Sequence, residues 1–297
     1  MDLLPDIVGR FAPTPSGLLH RGSVLAAIGS YLFAKAPGGR WLLRMEDLDT
    51  PRLQAGADSV ILRDLERLGL EWDGPVLYQS TRIAAYADAL AQLQDQGLAY
   101  PCACSRQEIR QAGGIYPGTC RNGLPAGRQG RAWRLRVPEQ GQIFHDLLLG
   151  PQRQHPALEG DFILQRADGI FAYVLASVVD DAWQGVTQVA RGEDLLAVTG
   201  RQCLLQDYLG HGRPVYAHLP LILDGQGRKL SKSDGASPWA EAPARAWLNA
   251  LTDLGVPLPA DLSGVDMPTL RAFALDHFAR RLPAMPNQSF NRTLRYD

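Results

Sequence analysis

Short apolar runs alternate with helical stripes from the start of the chain. Ile7–Phe11 is a brief apolar run that halts at Ala12-Pro13-Thr14-Pro15-Ser16-Gly17, which suits neither a central strand nor a helix interior. A helix is expected to begin near His20, with Val24, Ile28, Tyr31 and Leu32 on one face and Pro37-Gly38-Gly39 as its stop. Arg40–Met45 reads as the next strand, ending in Glu46-Asp47-Leu48-Asp49, and Gly56–Leu68 as the next helix. Strand and helix in alternation predict a parallel sheet with crossover helices.

The texture changes after a helix over Tyr86–Gln96. Residues 97–160 are rich in Gly, Pro and Arg, with short strand-like pieces such as Ala132–Val137. Regular βα patterning returns at Phe162–Val179, with Val186–Val189 as a strand, Asp194–Leu209 as a helix and Leu219–Leu223 as a further strand. Helices are expected over Ala244–Leu254 and Leu270–Leu282. There is no internal repeat or low-complexity tract. The pattern predicts a split α/β domain (1–96 and 161–240), an insertion over 97–160 and a small helical extension over 241–297.

Composition adds bounds. The 297 residues are 45% hydrophobic and 21% charged, ordinary for a globular protein with a sizeable core. The net charge of −1 does not advertise a nucleic-acid partner, yet six arginines and no acid lie between Ile109 and Pro138. No apolar run approaches the roughly 18 residues of a membrane helix. The start, MDLLPDIVGR, lacks the pattern of a signal peptide, and four cysteines do not form a secreted disulfide framework. A cytoplasmic, membrane-free monomer is expected. One bias is informative: of 30 basic residues only Lys35, Lys229 and Lys232 are lysines.

Two segments carry candidate chemistry. In Arg10-Phe-Ala-Pro-Thr-Pro-Ser-Gly-Leu-Leu-His20-Arg-Gly22-Ser23 a strand ends, a turn follows, and His20-x-Gly22 opens a helix. Helix N-termini present unpaired N–H groups that suit phosphate, and the imidazole adds a donor. Alone, the same segment is equally an ordinary turn and helix cap. The second is Lys229-Leu-Ser-Lys232-Ser, which follows a strand and a Gly-rich turn. Two ammonium groups there can clamp a triphosphate, whereas an isolated segment of this kind is usually a solvated loop. The scarcity of lysine elsewhere favours the clamp.

Together these segments resemble the HIGH and KMSKS signatures of class I aminoacyl-tRNA synthetases. RFAPTPSGLLH, LLRMEDLDTPR over Leu42–Arg52 and VVDDAWQGVTQVARGEDLL over Val178–Leu196 resemble the glutamyl branch, and the motifs run from Arg10 to Ser233. The resemblance implies a Rossmann-type catalytic domain that uses ATP with Mg²⁺, with His20, Gly22, Lys229 and Lys232 in catalysis and His20, Gly22 and Lys232 on ATP. Two departures stand out: a charged Arg21 where an apolar residue is common, and Ser23 in place of the last histidine.

Free glutamate has one ammonium and two carboxylates, so its site needs a carboxylate and cationic forks. Glu46 is the candidate for the ammonium. Arg10 and Arg191 are candidates for the carboxylates, with the Tyr173 hydroxyl as a further donor. The resemblance places substrate residues at these positions and at Thr14.

Cys102-x-Cys104, Tyr116 and Cys120 form a third group. Spacing alone fits either a tetrahedral zinc site or reduced, partly buried thiols. A short paralogue family of the glutamyl branch carries this pattern, and resemblance to it implies one structural Zn²⁺. Cys203, His145 and His218 read as structural. Only 64 residues follow Ser233, room for a helical extension but not for the large anticodon-binding region of a full glutamyl-tRNA synthetase. The resemblance therefore implies activation of L-glutamate with ATP and its transfer to queuosine at the wobble position of tRNA(Asp). The rivals are a truncated enzyme charging the tRNA 3′ end and an inactive synthetase-like binding module. The insertion arginines, with Arg280, Arg281, Arg292 and Arg295, are candidate phosphate contacts.

Overall fold

The computed structural model describes residues 6–223, 242–282 and 294–295. The first half runs β1 (Val8–Phe11), α1 (Arg21–Lys35), β2 (Arg40–Met45), α2 (Ala57–Arg67), β3 (Leu77–Tyr78) and α3 (Ile83–Asp95). The middle holds β4 (Ala99–Cys102), α4 (Arg106–Gln111), β5 (Ala132–Leu135), β6 (Gln142–Asp146), β7 (Gly150–Gln154) and β8 (Ile163–Gln165). Then follow α5 (Tyr173–Trp183), β9 (Gln188–Gly192), α6 (Leu196–Leu209), β10 (Val215–Leu219), β11 (Ile222–Leu223), α7 (Pro243–Asp253), α8 (Met267–Arg281) and β12 (Leu294–Arg295).

Strands β1, β2 and β3 pair in parallel, as do β9, β10 and β6, with β7 antiparallel at the edge. The two groups meet where Thr187 N donates to Val8 O (3.0 Å) and Val8 N donates to Thr187 Oγ1 (2.9 Å). Strand β1 thus lies between β2, reached by one crossover, and β9, reached much later. Open α/β sheets bind ligands at the carboxyl ends of strands beside such a reversal. The carboxyl ends of β1, β2, β9 and β10 carry or adjoin Arg10, Glu46, Arg191 and His218.

A second sheet, β4-β5-β8, is antiparallel. The chain passes between the sheets more than once. Residues 142–154 lie within the expected insertion and complete the main sheet as β6 and β7, while Ile163–Gln165, beyond that span, pairs with β5. The strand expected over Leu219–Leu223 is two strands, because Pro220 has no N–H to continue the ladder.

Helix α1 differs from the one-faced helix that the sequence suggested. Every residue from Val24 to Ala34 except Ala26 is buried. Its lower side lies on β1 and β9, and α7 and α8 cover the other. A helix that is apolar all round belongs in a core. Gly9 permits the close approach to β1, since a Cβ there would sit 2.7 Å from that of Ala34. The C-terminal helices share this core: Trp247 stands edge-on to Tyr31 and donates from Nε1 to Leu68 O (2.9 Å), and Phe278 meets Phe33.

Candidate active site

Strand β2 places Leu42, Arg44 and Glu46 on one face, level with Arg10 of β1, because alternate strand residues share a face. Above them α5 brings two buried carboxylates. Asp181 Oδ1 accepts from Arg10 Nε (3.2 Å) and Arg44 Nη1 (2.7 Å). Burial alone would raise the Asp181 pKa, but the flanking Arg10 and Arg44 prevail and lower it. Asp180 accepts from Gln79, Arg82 and the Tyr86 hydroxyl. These acids hold the arginines in place. Sequence reasoning gave Asp181 and Arg44 no role, although two adjacent acids in the apolar run Val178-Val179-Asp180-Asp181-Ala182 are an unusual sign of buried, paired charge.

Glu46 is different. Its Oε1 is buried without a hydrogen-bond partner and lies 3.6 Å from Arg44 Nη2. Burial pushes its pKa up to about 7, against the pull of Arg44 and Arg10. An unmatched buried carboxylate oxygen at a cavity wall is suited to an incoming cation.

Arg191 leaves β9 opposite, held along one edge. Its Nε donates to His218 Nε2 (3.2 Å), and its Nη2 donates to Thr199 Oγ1 (2.8 Å) and Gln202 Oε1 (2.7 Å). Nη1 reaches the Tyr173 hydroxyl at 3.4 Å. Burial raises the Tyr173 pKa, so its phenol stays protonated and can donate.

His20 is the N-cap of α1, and its Nδ1 accepts from Ser23 N (3.2 Å). In the neutral ring the proton then sits on Nε2. The structure gives Gly22 a more specific reason than helix opening: a Cβ there would meet His20 Cε1 at 3.0 Å, so the glycine makes room for the ring. Arg21 turns from the cavity to Asp253 of α7, with Nη2 3.2 Å from both carboxylate oxygens. Thr14 lines the cavity from the turn after β1. Lys229 and Lys232 lie outside the described residues.

Arg10, Thr14, His20, Glu46, Tyr173 and Arg191 share one cavity of about 1240 Å³, large enough for a nucleotide and an amino acid together. Part of its wall comes from the segments flanking the second sheet, including Cys104, Arg106 and Arg131.

Beside that wall the Sγ atoms of Cys102, Cys104 and Cys120 lie within 4.8 Å of one another. Cys104 and Cys120 are 3.7 Å apart, too far for a disulfide and close to the roughly 3.8 Å edge that Zn–S bonds of about 2.3 Å make in a tetrahedron. Donors surround the sulfurs: Ala103 N faces Cys120 Sγ (3.4 Å) and Arg134 Nε faces Cys102 Sγ (3.3 Å), as anionic thiolates require. The Tyr116 hydroxyl accepts from Cys120 N (2.8 Å) and interacts with Cys102, and the Tyr116 ring lies under the Arg134 guanidinium. These residues fit a sulfur-rich metal centre, with Tyr116 beside it as an oxygen donor.

The acid-free arginine stretch is largely committed to the fold. Arg134 is buried, Arg121 pairs with Asp161, Arg128 with Glu108, and Arg136 lies over Tyr100. Arg280 pairs with Asp276, Arg292 lies outside the described residues, and the Arg295 side chain does too.

The model of the catalytic domain of class I tRNA synthetases (E and Q) matches residues 6–117 and 120–257. The chain belongs to that family. Members of the class use ATP, and His20 and Gly22 line the cavity from the opening of α1. A protein of Thiobacillus denitrificans named glutamyl-Q tRNA(Asp) synthetase is 53% identical over 279 residues, covering 91% of this chain and 93% of its own. A protein of the same name from Pseudomonas aeruginosa is 52% identical over 279 residues, covering 93% and 95%. Among solved structures, a glutamate tRNA ligase from Elizabethkingia meningosepticum in complex with its amino acid aligns with a TM-score of 0.76 and 29% identity. That alignment covers 90% of this chain and 64% of the ligase chain. A methionyl-tRNA synthetase from Mycobacterium tuberculosis shares the fold alone, at 12% identity and TM-score 0.54.

Proposed function

We propose that this synthetase-family chain activates L-glutamate with ATP and transfers it to queuosine at the wobble position of tRNA(Asp). The observation that carries the reading is the charge pattern of the cavity. Glu46, whose Oε1 has no hydrogen-bond partner, lines the same cavity as the two anchored guanidinium groups of Arg10 and Arg191, the complement of a molecule with one ammonium and two carboxylates. The names of the relatives at about half identity agree with it.

In the first step the α-carboxylate oxygen of glutamate bonds to the α-phosphorus of ATP, the bond to the β-phosphate oxygen breaks, and pyrophosphate leaves. Glu46 and Arg10 and Arg191 orient the amino acid. His20 Nε2–H and the N–H groups opening α1 face the phosphates, with Lys229 and Lys232 of the second signature as further cations. ATP arrives with Mg²⁺, which supplies charge neutralisation on the phosphates. Orientation and electrostatics suffice for this reaction. In the second step a hydroxyl of the queuosine cyclopentenediol attacks the mixed anhydride, an ester forms and AMP leaves with the anhydride oxygen. Cys102, Cys104, Cys120 and Tyr116 would hold Zn²⁺, which would cross-link the insertion.

Two measurements on the full chain test this. Pyrophosphate exchange with glutamate, without tRNA, is expected, and its absence under ample ATP and Mg²⁺ favours an inactive binding module. Labelled glutamate carried on tRNA(Asp) is expected on the wobble nucleoside after nuclease digestion. Recovery on the terminal adenosine would instead show a 3′-end charging enzyme.

A further inference from the structure

We infer that His218 is a positioning residue: locked by Asp146, its Nε2 lone pair holds Arg191 Nε–H and thereby aims Nη1 of Arg191 into the amino-acid end of the cavity. The inference rests on the reading of Arg191 as a cation for a substrate carboxylate.

The sheet itself builds this row. Strands β6, β10 and β9 are neighbours, Arg191 stands opposite His218, and Tyr216 stands opposite Asp146. Residues 216 and 218 share a face, so Asp146, His218 and Arg191 lie side by side. The Asp146 and His218 side chains are fully buried. Tyr216 stacks against the imidazole, its ring centroid 5.3 Å from Arg191 Cζ.

The hydrogen bonds leave one tautomer. Asp146 accepts from Leu148 N and Leu149 N (both 2.9 Å) and from His218 N (3.1 Å), so it cannot turn. Its Oδ2 lies 2.5 Å from His218 Nδ1. A carboxylate only accepts, so Nδ1 carries the proton. Nε2 of the neutral ring is then an acceptor, and Arg191 Nε lies 3.2 Å away. Thr199 Oγ1 is equally near, but its hydroxyl donates to Leu195 O (3.1 Å). Gln202 donates to Ser177 Oγ (2.7 Å), which fixes its own oxygen on Arg191 Nη2. The protein thus holds Nε and Nη2, and a planar guanidinium pinned along one edge has the other edge aimed. That edge carries Nη1, beside the Tyr173 hydroxyl. Burial lowers the His218 pKa, which keeps the ring neutral at physiological pH.

The test uses the full chain. Protein labelled with ¹⁵N-histidine is expected to show the Nδ1–H tautomer of His218 at neutral pH. In glutamate-dependent pyrophosphate exchange, His218→Phe is expected to raise the glutamate KM about tenfold with the ATP KM within about twofold, the scale of one lost hydrogen bond to a charged group. His218→Gln restores an acceptor and is expected to recover part of the loss. An Nε2–H tautomer, an imidazolium, or an equal rise in both KM values would overturn the inference. Should His218→Phe fail to fold, the wild-type tautomer decides. An Arg191→Lys variant with unchanged glutamate KM would overturn the reading of Arg191 itself, which separates the two failures.

Discussion

Glu46 and Arg10 are both buried charges, yet they are prepared for different partners. Arg10 is already paired with Asp181, whereas Glu46 keeps an unmatched oxygen and a pKa pushed up to about 7 by burial, against Arg44 and Arg10. Below about pH 7 the free carboxyl is mostly protonated and offers no charge to the substrate ammonium; above it the anion is present. The glutamate KM is therefore expected to rise as pH falls from 8 to 6, with the ATP KM following a different profile. Glu46→Gln should weaken glutamate binding by at least about tenfold and flatten the dependence. A Gln variant that keeps the wild-type pH profile would show that another group sets it. At this scale the sequence suggests the residue types, because free glutamate demands one acid and two bases. The anchoring partners were not legible, since Asp181 and Asp146 are remote in sequence from the arginines and the histidine they hold.

Among the elements, α1 shows why pattern alone misread a surface. Val24, Ile28, Tyr31 and Leu32 do form an apolar stripe, which meets α7 through Tyr31 and Trp247, while Gly29 and Ala34 on another side lie against Leu219 and Gly9 of the sheet, a two-sided burial that no local period reveals. The insertion is clearer, because Cys-x-Cys is a short-range signal. Its sulfurs converge from the end of β4, the segment just after it and the turn that holds Cys120; Tyr100 ties β4 to Asp161 and Arg121 ties the turn to the same carboxylate. Purified protein is expected to carry about one zinc per chain. Its removal by chelation should abolish hydrogen-exchange protection over residues 99–135 while β1 and β2 remain protected, because metal binding is folding free energy for such a small unit. A metal-free protein with unchanged exchange would refute the zinc assignment.

Across the whole molecule, the C-terminal helices and the sheet unfold together if they share one core. Trp247 is fully buried against Tyr31 and reaches Leu68 at the end of α2, more than a hundred and seventy residues away in sequence. Trp247→Ala is expected to cost about 3–5 kcal/mol and to lower the urea midpoint of circular dichroism and of pyrophosphate exchange together. Loss of the helices with exchange activity intact would show two independent units. Arg21, the departure in the first signature, belongs to this scale too: its pairing with Asp253 joins the helix that His20 caps to α7.

The sequence by itself determined the alternation of strands and helices, the resemblance of two segments to the synthetase signatures, and the cysteine cluster, and it suggested the charged candidates for a glutamate site. Each of these is local: a period, a short spacing, or a residue type matched to a ligand. Tertiary structure decided which charges are spent on one another and which remain for a ligand. It paired Asp181 with Arg10 and Arg44, lined up Asp146, His218 and Arg191 across three strands, and left Glu46 Oε1 without a hydrogen bond. Hydrogen bonds and Coulomb interactions depend on distance in space, and the parallel sheet brings together strands that lie far apart along the chain.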